Sequence, residues 1–323
     1  MVTFRDLTIK DKSWIDPILE ECGYMSCEYC FGNHFIWKDI YEEKVARIGD
    51  RYTILLRGDE GERGTSFLYP AGTGDIKPVI EELLRYCEEQ EIDFCLHSMP
   101  EEGKEELETA FPGMFTITTN RGYSDYIYTV EDLTNLSGKK YHGKRNHIAR
   151  FKENDWKFEP ITPDNYKDCL ALNEKWCEIN GCGMDPSLKD EQCAIRRCFR
   201  YFKELNLFGG LLWANGEPVA YTIAERLNAN TVDVHIEKAL SAVQGAYPTI
   251  NREFVANMCQ DYKFVNREED LGVEGLRKAK LSYRPAIILS KYEVRLKHEN
   301  DLSPSPDDRS ACNENVVAES VLG

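Results

Sequence analysis

Residues 138–152, GKKYHGKRNHIARFK, carry six Lys and Arg side chains and no acid. Like charges spaced this closely repel one another, so the run reads as a surface held together by an anionic ligand. Of these, Lys139, Lys140, Lys144 and Arg145 are the phosphate-holding candidates, with Asn146 as a polar neighbour. A second basic segment, VEGLRKAKLSYR, puts Arg277 and Lys280 on one helix face and ends at Tyr283. In TVDVHIEKA the alternation is strict. Val232, Val234 and Ile236 are expected on one face of a strand, and Asp233, His235 and Glu237 on the other. Acyl transfer from a phosphate-bearing donor needs these parts: a cationic surface for the donor, a base for the acceptor, and an acid for the leaving atom. Asp270, in the acidic turn REEDLG, is placed to orient an ammonium group, and Asn251 is a further polar ligand candidate.

The elements that must position these residues are legible in the second half. FGGLLWANGEPVAYTIAERL is a hairpin around Asn215-Gly216-Glu217-Pro218. Next come the strand TVDVHIEKA, the loop LSAVQGAYP, a helix with Ile250, Phe254, Val255 and Met258 on its apolar stripe, the short strand KFVN and the basic helix. Pro285 ends that helix, and AIILSKYEVRL closes as a strand. YKDCLALNEKWCEIN and DEQCAIRRCFRYFKEL read as two amphipathic helices ahead of the hairpin. The first half repeats the order. RYTILLRGDEGERGTSFLYP is a hairpin, IKPVIEELLRYCEEQ a helix, DFCLHSM a strand, EEGKEELETAF a helix, and FTITTNRGYSDYIYTV the closing strands. The expected organisation is an α/β (α+β) chain of two tandem units, 1–135 and 136–298, with a polar, disordered tail over 299–323.

Composition narrows the class. The 323 residues are 42% hydrophobic and 30% charged, with net charge −16. Such a chain buries a sizeable core, and its overall acidity opposes DNA binding. No apolar run approaches the roughly 20 residues of a membrane-spanning helix, and the N-terminal stretch lacks a signal-peptide layout. A soluble, cytoplasmic protein is expected. Of the twelve cysteines, Cys27 and Cys30 form a CxxC with Cys22 nearby, but no second pair stands at ligand spacing. The expectation is therefore reduced, mostly buried thiols and no metal. Walker, HExxH, GxSxG and GxGxxG motifs are absent, which removes support for nucleotide hydrolysis, zinc proteolysis and serine hydrolysis.

The element order resembles the Gcn5-related N-acetyltransferase (GNAT) fold. In that fold the loop corresponding to Val243-Gln244-Gly245-Ala246-Tyr247 offers backbone N–H groups and a helix dipole to a pyrophosphate, so Gln244, Gly245 and Tyr247 join the binding candidates. Three blocks are more specific: LSGKKYHGKRNHIARF, HIEKALSAVQGAYPTINREF and EEDLGVEGLRKAKLSYRP. With SCEYCFGNHFIW they resemble an uncharacterised bacterial family classed with the C-terminal domain of phosphatidylglycerol lysyltransferases. The resemblance implies tandem GNAT-like domains and transfer of an aminoacyl group from aminoacyl-tRNA. It also places a base at His235 or Glu237 and a tyrosine acid at Tyr283. Peripheral contact with anionic lipid fits the same family.

Each residue also has a plainer reading. His235 suits a hydrogen-bonded strand histidine, Glu237 a surface ion pair with Lys238, Tyr283 a packed aromatic, and the basic runs solvated helix faces. Acyl-CoA is the alternative donor, and a catalytically silent module for anionic ligands the alternative class. The first unit reads as a degenerate copy, because its loop Ala71-Gly72-Thr73-Gly74-Asp75 ends in an acid.

Overall fold

The computed structural model describes residues 2–57 and 64–297. The expected tail, 299–323, lies outside the described residues. Strands in the first half are β1 (Arg5–Asp6), β2 (Lys44–Ile48), β3 (Arg51–Arg57), β4 (Thr65–Leu68), β5 (Cys95–Met99), β6 (Phe115–Thr119) and β7 (Asp125–Thr129). The second half supplies β8 (Trp156–Pro160), β9 (Phe208–Ala214), β10 (Glu217–Asn228), β11 (Thr231–Ala239), β12 (Phe264–Asn266), β13 (Ile287–Leu289) and β14 (Tyr292–Leu296). Helices α1 (Lys12–Cys22), α2 (Phe31–Trp37), α3 (Ile76–Gln90), α4 (Glu102–Ala110) and α5 (Val130–Asn135) come first. They are followed by α6 (His142–Phe151), α7 (Tyr166–Asn180), α8 (Pro186–Arg200), α9 (Ala246–Met258) and α10 (Glu274–Leu281).

Local sequence accounts for most of these elements. Asp75 accepts a hydrogen bond from the Lys77 N–H at 3.0 Å and so caps α3, whose Ile76, Val79, Ile80 and Leu83 form one buried stripe. Asn215 and Gly216 both have positive φ, 53° and 80°, the conformation a two-residue hairpin turn needs between β9 and β10. Gly245 has φ +81°, and a Cβ there would stand 2.1 Å from the carbonyl oxygen of His147, so only glycine lets the loop before α9 lie on α6.

The sheets differ from expectation in one respect. Their orders are β1-β2-β3-β4-β5-β14-β6 and β8-β9-β10-β11-β12-β7-β13, the same arrangement twice. Each has one parallel pair, β4 with β5 and β11 with β12, in an otherwise antiparallel sheet flanked by helices. This is the tandem GNAT-like architecture. The sixth place of each sheet, however, is filled by the other half. β7, expected to close the first unit, pairs with β12 and β13, while β14 pairs with β5 and β6. AIILSKYEVRL is therefore two strands in two sheets. An alternating pattern specifies that one face of a strand is buried, and Val294 satisfies that equally well in the first core. The residue-135 boundary divides the sequence but not the sheets. One hydrophobic cluster also spans both halves, joining Tyr29, Phe31 and Tyr52 to Ile195, Tyr221, Ile223 and Ile236.

Two further corrections concern local geometry. Ile223 pairs with Ile236 and Ala224 with Val234, so His235 is the extra residue of a β-bulge. The bulge breaks the strict alternation. Val234 packs in the cluster with Ala224, Ile236 in the one with Ile223, and His235 and Glu237 leave the strand on opposite faces. Cys177 and Cys182 are joined as a disulfide rather than reduced. α7 ends at Asn180 and Gly181, at φ +73°, turns the chain back to bring the two Cα atoms to 5.0 Å.

The strand exchange has a direct consequence. A fragment ending at residue 135 lacks β14 and leaves β7 without its sheet, so it should show no cooperative thermal transition by circular dichroism, whereas the full chain should.

Candidate functional site

Polar side chains gather on both faces of β11, and the bulge assigns them to two separate groups. The more open group faces α6 and α9. Glu237 accepts hydrogen bonds from Arg267 Nη2 at 2.7 Å and from Asn251 Nδ2 at 3.1 Å. The Arg267 guanidinium lies 4.9 Å from the ring centre of Tyr283 and 5.7 Å from that of Tyr128. Lys144 reaches in from α6, its Nζ 3.7 Å from the ring centre of Tyr283. Among the described residues it makes no hydrogen bond or ion pair.

The electrostatics of this group follow from that packing. Burial, then the neighbouring Arg267, push the Lys144 ammonium down to about 8, with Glu237 opposing. Such a group exchanges protons near neutrality. Burial raises the Tyr283 phenol, so its hydroxyl stays protonated and able to donate. Burial would discharge Arg267, but Glu237 and the two tyrosines outweigh it and hold the guanidinium charged. Arg267 Nη1 and Asn251 Oδ1 are buried without a hydrogen-bond partner. The group thus offers a donor, an acceptor and a half-buried lysine to a ligand.

The second group is dry and lies where the two halves meet. Lys291 pairs with Glu28 at 2.6 Å, with Asp125 at 2.9 Å, and with Glu269. Asp125 also accepts from the Cys27 N–H at 2.8 Å and from Asn266 Nδ2 at 2.9 Å. Burial opposes the Lys291 charge, but Asp125, Cys27, Glu269 and Glu28 raise it well above the usual lysine range. Burial, with Glu28 and Asp125 nearby, pushes Glu269 up to about 8 although Lys291 opposes. Beside this cluster, His235 Nδ1 lies 3.0 Å from Glu268 Oε1, and its Nε2 lies 3.5 Å from Glu225 Oε2. Burial would keep the imidazole neutral, yet Cys30, Glu225 and Glu268 raise it well above its ordinary value. Burial also drives Asp233 upward, reinforced by Glu268.

The remaining candidates are dispersed. Asp270 is enclosed by Arg277, at 2.7 and 2.9 Å, by Tyr126 and by the Gly272 N–H, and these partners hold its carboxyl well below the usual range. Asp270 and Arg277 thus neutralise each other. Lys280 is buried and donates to the carbonyls of Arg267 and Glu268, which fixes the loop carrying both. Arg145 donates to the carbonyls of Leu136 and Gly138, Lys140 lies 3.5 Å from Asp132, and Asn146 meets His142 at 3.1 Å. Lys139 is exposed. Gln244 is also exposed and lines a separate cavity of about 530 Å³ with Arg150 and Lys175, and Tyr247 is exposed on the first turn of α9. The structure therefore assembles Lys144, Glu237, Asn251 and Tyr283, and sets His235 apart. Arg267, Lys291 and Glu225 were missed from sequence. Glu225 carried the clearest signal, a lone acid inside the apolar run VAYTIAERL.

Residues 22–295 match the model of the family described as phosphatidylglycerol lysyltransferase, C-terminal. The chain belongs to this family. A solved protein of unknown function from Bacteroides thetaiotaomicron is 38% identical, with TM-score 0.87 over 92% of this chain and 100% of that one. L-PGS from Bacillus licheniformis shares the fold at 15% identity, TM-score 0.61, over 92% of this chain and 94% of that one. An uncharacterized protein of Mycoplasmoides gallisepticum is 26% identical over 178 residues, 54% of this chain. The match spans about half the length of that curated relative, 56%. Family membership supports an acyltransferase, and no helix among the described residues is long and apolar enough to cross a membrane.

The dry cluster makes a stability prediction. Lys291→Met leaves Glu28, Asp125 and Glu269 buried without their cation and should cost roughly 3–5 kcal/mol at pH 7 by urea denaturation. A carboxyl whose folded pKa is raised favours folding while protonated. The Glu269 contribution should therefore fade as pH rises through about 8, and Glu269→Gln should flatten that decline.

Proposed function

We propose that this chain transfers an aminoacyl group from aminoacyl-tRNA to an amine or hydroxyl acceptor, with the chemistry at Lys144, Arg267, Glu237 and Tyr283. The observation that carries this reading is the position of Lys144. It is half-buried over Tyr283, without a counter-ion among the described residues, in a chain whose family is that of phosphatidylglycerol lysyltransferases.

The donor is an ester between an amino acid and the terminal ribose of tRNA. The acceptor N–H or O–H attacks its carbonyl carbon, and neutral Lys144 takes the acceptor's proton. The charge that develops on the carbonyl oxygen is met by Arg267, whose Nη1 has no intramolecular partner. The ester C–O bond then breaks, and Tyr283 supplies a proton to the ribose oxygen, to be replaced from Lys144. Glu237 has both oxygens engaged, by Arg267 and Asn251, which makes it a positioning residue for the guanidinium rather than the base. Exposed Lys139 and Lys140 extend a phosphate-holding surface outward from this point.

The assay is transfer of label from bulk aminoacyl-tRNA to phosphatidylglycerol vesicles or to a panel of small amines at fixed salt. Lys144→Met should lower the rate by about 100-fold or more, whereas Lys139→Ala should mainly weaken tRNA binding. For the unmodified chain, kcat/KM should rise with pH and level off near 8, and Lys144→Arg should abolish that rise. Turnover of acyl-CoA in place of aminoacyl-tRNA would transfer the same residues to ordinary acyl transfer. Binding of tRNA without any turnover would leave a silent module.

A further inference from the structure

We propose that Cys30, Glu225 and His235 form a zinc site between the N-terminal segment and the second sheet. Three observations support it. The donors are already close: Cys30 Sγ lies 4.0 Å from His235 Nε2, and His235 Nε2 lies 3.5 Å from Glu225 Oε2. A tetrahedral zinc ion with ordinary S, N and O bond lengths sets neighbouring ligand atoms roughly 3.3–3.7 Å apart, so a contraction of a few tenths of an ångström brings these three onto one ion.

The second observation is unmet demand. Glu225 Oε2 and Asp233 Oδ1 are buried oxygens without a hydrogen-bond partner, in residues only 3% and 0% exposed. A buried carboxylate oxygen in that state calls for a proton or a cation. Lys291, the nearest buried ammonium described above, is engaged by Glu28, Asp125 and Glu269.

The third is orientation. Glu268 Oε1 stands 3.0 Å from His235 Nδ1, so the proton belongs on Nδ1 and the lone pair of Nε2 faces Cys30 and Glu225. That carboxylate–histidine arrangement is how proteins hold a ligating imidazole. Glu225 is held in turn by the Gly32 N–H at 3.1 Å, and a Cβ on Gly32 would stand 1.6 Å from Glu225 Oε2. The β-bulge supplies the rest, because it turns His235 off the Glu237 face and toward Cys30. The mixture of one thiolate, one imidazole and one carboxylate suits Zn²⁺ better than the all-oxygen cations. Three protein ligands leave one position to a water molecule, and the ion would fasten the start of α2 to β10 and β11.

The test uses the full chain, dialysed against Zn²⁺ and then against buffer, with metal counted by mass spectrometry. About one Zn²⁺ per chain is expected, together with a rise in thermal midpoint on loading. Co²⁺ in its place should show a thiolate-to-cobalt charge-transfer band. Cys30→Ser should remove the band and most of the metal, while Cys27→Ser, which alters the neighbouring Lys291 cluster, should retain both. Because Cys30→Ser is nearly isosteric, its circular dichroism reports whether it has folded. A folded unmodified chain that takes up neither metal would overturn the proposal, as would metal retained equally in Cys30→Ser.

Discussion

A buried lysine stands where the chain leaves one sheet for the other. Lys291 lies between β13, in the second sheet, and β14, in the first, and its ammonium is enclosed by Glu28, Asp125 and Glu269. Burying an ammonium costs several kcal/mol unless partners surround it, so three separate pieces of chain must be present before the crossing is stable. Glu28 comes from the loop ahead of α2, Asp125 from the first residue of β7, and Glu269 from the loop after β12. With Lys291 itself, these mark the two strand crossings and two loops that meet there. The Lys291 carbonyl also accepts a hydrogen bond from Thr119, which fixes β14 beside β6. The exchange of β7 for β14 and the position of the functional loop are therefore one constraint.

That loop divides its charges as the strand opposite divides its faces. Arg267 turns toward Glu237 and the open group, while the adjacent Glu268 turns toward His235 and the dry one. Without the bulge, His235 and Glu237 would share one face and compete for the same partners. With it, a permanently charged guanidinium is kept beside Lys144, lowering its affinity for a proton, and the surplus of carboxylates is confined to the other side. Lys280 stabilises this division by holding the carbonyls of Arg267 and Glu268 together.

Much of this was legible from sequence, for physical reasons that also mark where legibility ends. Hairpins, helices and the repeated element order follow from local turn residues and periodicity, as at Asn215-Gly216 and along α3. The basic stretch contains Lys144 and the strand pattern Glu237, and both candidates were legible because those features are local. The bulge was not legible: Val232, Val234 and Ile236 alternate perfectly in sequence, and only pairing with Ile223 and Ala224 inserts the extra residue. Nor was the fate of Asp270 and Arg277, seven residues apart with a turn between them, which brings them into a bidentate pair. Strand partnership was the largest omission, since nothing in YEVRL distinguishes one half-buried sheet position from another.

The duplicated architecture leaves one question, which is how the two halves differ in their buried cations when both sheets have the same order. In the first half the loop after β4 is already occupied. Arg51 is buried there, donating to the carbonyls of Gly74 at 2.6 Å and Pro70 at 3.1 Å, and it pairs with Glu106. A Cβ on Gly72 would stand 2.4 Å from the Asp50 carbonyl oxygen, so the loop packs closely on that turn. In the second half, Lys144 on α6 has an aromatic face beneath it and makes no ion pair among the described residues. A satisfied arginine in a closed loop has nothing left to offer an anion. A half-buried lysine without a counter-ion must keep water, lose its proton or take a ligand, and each of those states is reachable near neutral pH. The same fold thus holds a paired, buried arginine in one half and, in the other, a half-buried lysine without an ion pair among the described residues.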